Sequence, residues 1–272
     1  MNNFIKRSIT GIIFVLVVVG CISAGKITFL LLSLTLLVLS MHEFYRISIK
    51  ERIRSQKNYG IFIGTLFFIA NYLFAQKIVG YKIYIILLPL FFFVFINELY
   101  RKNRKPFSNI AYTLLGIFYI AIPLSAFNFF VFYPYPTLNY NPNILLGFFI
   151  LLWATDTGAY IFGASLGKHK FFPRISPKKT WEGFFGGAIT SLTTSYIIST
   201  FFIELPLIHW IIMSLIIIVM GTFGDLVESL FKRSIHIKDS GKIIPGHGGI
   251  LDRIDSVLLS APIIFTYMQL IN

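Results

Sequence analysis

Nine apolar stretches, each about as long as a bilayer crossing, take up most of this sequence. They cover residues 4–24, 27–42, 60–75, 83–97, 109–132, 143–165, 183–202, 207–230 and 254–271. A helix that spans the hydrocarbon needs about 20 mostly apolar residues. A soluble fold of 272 residues has too little interior to hide so much apolar surface. Hydrophobic residues make up 56% of the chain and charged ones 13%, against roughly 25% charged in soluble domains. That balance excludes a soluble globular enzyme. The 17% aromatic content excludes disorder. One cysteine, Cys21, excludes an internal disulfide or a zinc cluster. The fold class is therefore an all-α polytopic membrane protein, a bundle of about nine transmembrane helices. No linker or short repeat divides it. We divide it by chemistry into an N-terminal scaffold of about five helices (1–142) and a C-terminal catalytic region of about four (143–272). The first run carries Lys6 and Arg7 ahead of its apolar stretch, as a signal peptide would. No polar region follows, so the run is read as a retained helix.

The formal net charge of +13 would suit nucleic-acid binding, but the positions of the charges argue otherwise. With nine spans, all but three of the 24 Lys and Arg fall on one side, the exceptions being Lys26, Lys77 and Lys82. Such an asymmetry puts the N-terminus in the cytoplasm and the C-terminus on the far side. The predicted location is the cytoplasmic (inner) membrane, multi-pass. The far loop 133–141 carries no charge, and its Tyr133, Tyr135 and Tyr140 suit an interfacial belt.

The N-terminal half is chemically quiet. Glu43 and Glu98 sit at helix ends beside basic residues and read as solvated rim ion pairs. The C-terminal half is different. Asp156 lies inside the sixth run, where a carboxylate costs about 2.5–3.5 kcal/mol on insertion scales and so faces a partner or a polar cavity. Gly158 and Gly163 on the same run, with Gly167 just beyond it, would let another backbone approach closely. The stretch Ser176-Pro177-Lys178-Lys179-Thr180 reads as a helix start capped by Ser176, with Pro177 at its first position. Amide groups there, with Lys178, Lys179 and the Thr180 hydroxyl, would seat a phosphate.

The eighth run ends with Asp225, Glu228 and Lys232 on one helix face. A Gly-rich loop follows, and the ninth run opens with Asp252 and Asp255 one turn apart. Carboxylates gathered at one depth repel each other unless they are protonated or bind cations. An oxygen-only donor set points to Mg²⁺, which bridges substrate phosphates. Lys232, Arg233, Lys238 and Arg253 surround the same place and suit a polyphosphate.

The segment from Ser229 to Asp255, SLFKRSIHIKDSGKIIPGHGGILDRID, resembles the signature of the bacterial phosphatidate cytidylyltransferase (CDP-diacylglycerol synthase) family. Trp153-x-x-Asp156-x-x-Ala159-Tyr160, Ser176-Pro177-x-Lys179-Thr180-x-Glu182-Gly183 and Gly224-Asp225-Leu226-x-Glu228-Ser229 resemble it too. The likeness covers about residues 150–260. It implies an integral-membrane nucleotidyltransferase of phospholipid biosynthesis, working at the cytoplasmic face. CTP and phosphatidic acid would give CDP-diacylglycerol and pyrophosphate. The resemblance makes Asp225 and Asp252 the Mg²⁺ carboxylates, with Asp255 beside them and a monovalent cation such as K⁺ sharing the site. Lys232 and Arg233 go with the catalytic set. Ser176, Lys179 and Lys238 are implied as phosphate contacts, less directly. Asp156, Lys178, Thr180, Glu182, Glu228, Asp239, His247, Gly248, Gly249 and Arg253 complete the substrate-binding set. No nucleic acid is implied, and a homodimer is compatible but not required.

Three rival readings differ in what they leave unexplained. A transporter accounts for Asp156 and Asp225 but not for the basic, Gly-rich loop. A CDP-alcohol transferase would carry a D-G-x-x-A-R pattern that is absent here, and a polyprenol kinase would match the last loop less well. A decayed scaffold does not suit so complete a motif.

Overall fold

The computed structural model describes residues 3–49, 52–135, 137–241, 243 and 248–271, with side chains described from residue 9 onward. Helices account for each of the nine apolar runs. They are α1 (Asn3–Ser23), α2 (Lys26–Ser48), α3 (Lys57–Ala75), α4 (Lys82–Leu99), α5 (Pro106–Val131), α6 (Asn143–Leu166), α7 (Trp181–Phe201), α8 (Leu207–Ser234) and α9 (Leu251–Ile271). Between α6 and α7 lies a small antiparallel hairpin, β1 (Lys170–Phe172) and β2 (Ser176–Thr180).

Among the described residues, seven helices are long and apolar enough to cross a membrane by length and composition. The chain is a multi-pass all-α membrane protein. In α1 the described apolar stretch is shorter, Ile9–Ser23. Helix α7 is not among the seven, because hydroxyl residues and glycines dilute its apolar content. Most of those hydroxyls are satisfied within the helix, as where Thr190 donates to the Gly186 carbonyl (2.8 Å) and Thr194 to that of Thr190 (2.8 Å), while Ser191 donates to the Leu151 carbonyl of α6 (3.4 Å). Self-satisfied hydroxyls are how such a helix tolerates a non-aqueous setting.

The chain forms two compact units. One comprises Met1–Tyr140 with Asp239–Ile254, and the other Asn141–Lys238 with Asp255–Asn272. The division runs through α9. Asp239–Ile254, grouped in the sequence reading with the C-terminal region, clusters with the N-terminal helices.

In the first unit, Tyr45 of α2 ties three helices together. Its hydroxyl donates to the Thr113 carbonyl of α5 (2.7 Å), and the ring lies against Gly60 of α3 and Gly116 of α5. Glu43 and Glu98 depart from expectation. They are 2% and 4% exposed, not solvated rim groups. The ion pair of Glu98 with Arg101 exists (2.9 Å). The carboxylate is nonetheless buried, because Gln56 (2.9 Å) and Asn109 (2.7 Å) also donate side-chain N–H groups to it. A buried carboxylate is tolerable only with such donors.

In the second unit, α6 and α7 approach at backbone contact. A Cβ on Gly187 would stand 2.8 Å from the Thr155 carbonyl, and one on Gly183 2.8 Å from that of Ala159. Small residues permit this spacing, which gives a helix pair its van der Waals attraction where no hydrophobic effect operates. Gly224 does the same for α8. A Cβ there would lie 2.5 Å from the Asp255 carbonyl of α9. The contact sets Asp225 beside the second turn of α9.

Candidate active site

The segment 176–180 is a strand, not the start of a helix as its sequence suggests. Ser176 pairs with Phe172, and Thr180 pairs with Lys170. Helix α7 begins at Trp181 with Thr180 as its cap, the Thr180 hydroxyl accepting the Gly183 N–H (3.2 Å). Two causes displace the expected cap. Pro177 lacks an N–H, and a two-stranded ribbon leaves an edge where none is needed. Thr180, β-branched and in extended conformation (φ −128°, ψ 155°), completes the strand and caps the helix at once. Ser176 therefore caps nothing, and the amides it was expected to organise are not a helix N-terminus. The hairpin is anchored by aromatic contacts, with Phe171 edge-on to Trp181 (4.4 Å between ring centroids) and stacked on Phe184 (5.5 Å).

Hairpin, α6, α7, α8 and α9 together enclose a cavity of about 450 Å³ within the second unit. That is within the usual range for small-molecule sites. Its polar wall includes Asp156 from α6, Lys178, Lys179 and Thr180 from β2, and Asp225 from α8. Its apolar wall includes Tyr160, Phe171 and Phe184. Five residues singled out from sequence thus meet in one cavity. Lys179 crosses to Asp225, with Nζ 2.7 Å from Oδ2, and also donates to the Thr222 carbonyl (3.3 Å). Ser229, one turn on, donates to Asp225 Oδ1 (3.2 Å). Asp225 and Asp156 are anionic neighbours of Asp255, and Lys232 is a cationic one. The π-helical turn Ile217–Gly221 precedes this part of α8 and contributes Ile217 and Gly221 to the wall. Turns of this kind recur at functional sites.

Asp252 belongs to the other unit. Its carboxylate accepts backbone N–H groups of Ser240 (3.0 Å) and Gly249 (2.8 Å). Gly248, at φ +88°, takes a left-handed conformation in this turn that a side chain would strain. Asp239, Lys238 and Arg253 are exposed, and His247 lies outside the described residues.

The remaining expected residues are arranged as follows. Glu228 has no exposed side-chain surface and is ion-paired with Lys232, itself 11% exposed. Arg233 is exposed and donates to the Ile237 carbonyl (3.1 Å). Glu182, ahead of the apolar part of α7, accepts from the His169 backbone (3.1 Å) and faces His169 Nδ1 (2.6 Å). Its own backbone N–H, with further help from His169 and the Lys168 backbone, pulls its carboxyl down to about 2. Sequence reasoning missed Phe171, Phe184, Thr222 and Ser256, all of which line the cavity. The aromatic pair 171–172 between basic residues was the one available signal.

The donor set is suited to a hard cation. Asp225, Asp255 and Asp156 offer oxygens only, and an ammonium already sits on Asp225. Among the described residues no three acidic, His or Cys side chains form a ready-made cage. Mg²⁺ does not need one, since it commonly takes one or two carboxylates and completes its shell with water and substrate phosphate.

The family model described as "Cytidylyltransferase family" matches residues 5–271, so the chain belongs to that family. A phosphatidate cytidylyltransferase of Staphylococcus haemolyticus is 45% identical over 165 residues, 60% of each chain. Proteins of the same name from Staphylococcus epidermidis and Staphylococcus aureus are 41% and 42% identical over 180 residues, 65% of this chain and 66% of theirs. The match thus spans about 60–66% of the length of these relatives.

Proposed function

We propose that this chain is a Mg²⁺-dependent phosphatidate cytidylyltransferase acting at the cytoplasmic face of the inner membrane. One observation carries the reading: a single cavity joins the lysines and threonine of β2 to the aspartates of α6 and α8. A phosphate oxygen of phosphatidic acid attacks the α-phosphorus of CTP. A new P–O–P bond forms, the bond to the β-phosphate breaks, and its electron pair leaves with pyrophosphate. The attacking oxygen is already anionic near neutral pH, so no general base is required, and none is assigned to His247.

The barrier lies in bringing two anions together and stabilising the departing one. Lys178 and Lys179 offset that charge from the cavity wall. Lys179 can exchange its bond to Asp225 for one to phosphate. Lys232, held by Glu228, adds positive charge behind Asp225. Asp225 and Asp255 are the Mg²⁺ holders, with Asp252 assigned by the family resemblance. When bound, the ion supplies charge neutralisation at the triphosphate, with a monovalent cation such as K⁺ as companion. The aromatic wall, Phe171 with Phe184, excludes water. Arg233 and Lys238 serve as outer phosphate contacts, and the family resemblance extends to a homodimer.

The test supplies membranes carrying the protein with labelled CTP, phosphatidic acid and Mg²⁺. Formation of CDP-lipid that disappears in Asp225→Asn supports the reading. Ion flux in liposomes without nucleotide turnover would replace it with a transporter.

A further inference from the structure

The N-terminal helices looked chemically silent in the sequence, yet one of their carboxylates reaches the loop that carries Asp252. Glu43 lies near the end of α2 and is 2% exposed. Its Oε2 accepts the Ser240 hydroxyl (3.1 Å) and the Leu251 backbone N–H (3.0 Å), partners about two hundred residues further along the chain. Burying a carboxylate is costly unless hydrogen bonds compensate it, so the loop must close on Glu43 for this unit to be stable.

Both donors are tied to Asp252, Ser240 by a hydrogen bond and Leu251 as its neighbour in the chain. Ser240 gives its hydroxyl to Glu43 and its backbone N–H to Asp252. Leu251 is the first residue of α9, and its N–H has no partner within the helix. Glu43 supplies that partner from outside, and its negative charge suits a helix N-terminus. Gly241 and Gly249 press so closely on Glu43 that a Cβ at either would run into its carboxyl group. Gly249 also donates to Asp252. The loop is therefore clamped on Glu43 along one side and presents Asp252 on the other.

We infer that Glu43 is a positioning residue, fixing through Ser240 and Leu251 the direction in which Asp252 offers its carboxylate to a divalent cation. The inference rests on the metal role proposed above for Asp252. It assigns the N-terminal unit a part in the chemistry beyond that of scaffold.

The experiment uses full-length protein in detergent and reads two quantities: Mn²⁺ binding by electron paramagnetic resonance without substrate, and the steady-state rate as a function of Mg²⁺, CTP and phosphatidic acid. Glu43→Ala is expected to weaken Mn²⁺ binding and raise the half-saturating Mg²⁺ about tenfold, with the KM for phosphatidic acid unchanged. Glu43→Gln, which keeps an acceptor for Ser240 and Leu251, should recover most of the loss. Ser240→Ala should shift both quantities in the same direction by a smaller factor.

A Glu43→Ala protein that loses rate with Mn²⁺ binding intact overturns the proposal. If Glu43→Ala does not fold, Ser240→Ala decides in its place, and wild-type Mn²⁺ binding there overturns the proposal equally. Asp252→Asn separates the two levels. Loss of Mn²⁺ binding in Asp252→Asn with wild-type binding in the folded Glu43 or Ser240 variant removes the positioning role alone. Unchanged binding in Asp252→Asn removes the metal role of Asp252, and this inference with it.

Discussion

Asp225, inside α8, and Asp252, in the first turn of α9, are two of the carboxylates proposed above to hold the metal, but they are held in different ways. Asp225 is held by side chains, the Lys179 ammonium and the Ser229 hydroxyl, on the wall of an aqueous-sized cavity. Asp252 is held by backbone N–H groups of its own loop, and that loop is clamped on a buried glutamate. A long flexible lysine can let go of one anion to take another. A backbone donor cannot leave without refolding the turn. On the proposed reading Asp225 would be the exchangeable member, its lysine free to trade the carboxylate for a phosphate, and Asp252 the preorganised one.

That contrast is most exposed at Asp225. Asp225→Asn keeps the shape and a hydrogen bond to Ser229 but removes the charge. Turnover of CTP should fall by at least ~10²–10³-fold, the scale of losing one preorganised electrostatic group. Circular dichroism and the thermal midpoint should stay near wild type. Retained turnover would remove Asp225 from the chemistry and reverse the comparison.

Lys179→Met tests the exchange directly. It keeps the length of the side chain and leaves Asp225 without its ammonium. The expected loss is roughly 10–100-fold in kcat/KM for CTP, with a larger change in kcat than in the KM for phosphatidic acid, since the charge matters most as pyrophosphate departs. An equal fall for both substrates confined to KM would make Lys179 a ground-state anchor instead.

Much of this was legible in the sequence, for physical reasons. Long apolar runs have few alternatives to membrane helices, so each of the nine runs corresponds to a helix. Glycines in the sixth run foretold close packing, and Gly158 does lie against Thr190 and Gly186 of α7. The β1–β2 hairpin was not legible. Ser-Pro before a lysine pair satisfies the local rule for a helix start, and only the pairing of Ser176 with Phe172 shows that rule to be overridden. Glu43 was hidden for a related reason. Its sequence neighbours His42 and Arg46 suggest a wet rim, whereas its burial is imposed by Ser240 and Leu251, which no local pattern connects to it.

The cap of α7 gives a smaller effect that separates fold from chemistry. Thr180→Val keeps the strand propensity and shape of position 180 but removes the acceptor for Gly183. It should cost about 1 kcal/mol, a fall of roughly 2–4 °C in thermal midpoint for a chain of this size. Thr180→Ser should recover the acceptor. A loss of activity in Thr180→Ser with the midpoint restored would show that the Thr180 methyl group matters to the cavity and not only to the cap.

The smallest effect concerns Glu182, whose carboxyl is pulled from an ordinary value of 4.5 down to about 2 by its own backbone N–H and by His169 and Lys168. A carboxyl that holds its proton less tightly when folded adds stability above the unfolded value and loses it as the pH falls through the folded one. The wild type should therefore exceed Glu182→Gln in thermal midpoint by a constant small margin at neutral pH. That margin should shrink from about pH 4.5 downward and vanish near pH 2. Glu182 faces solvent, where screening keeps such a margin small. The hairpin and α7 are thus held at this end by a surface charge, while Asp252 is held by buried amides that do not titrate. Thermal scans of the two proteins from pH 7 to pH 2 check the sign, and a margin that widens on acidification would show that His169 and Glu182 do not hold each other as drawn.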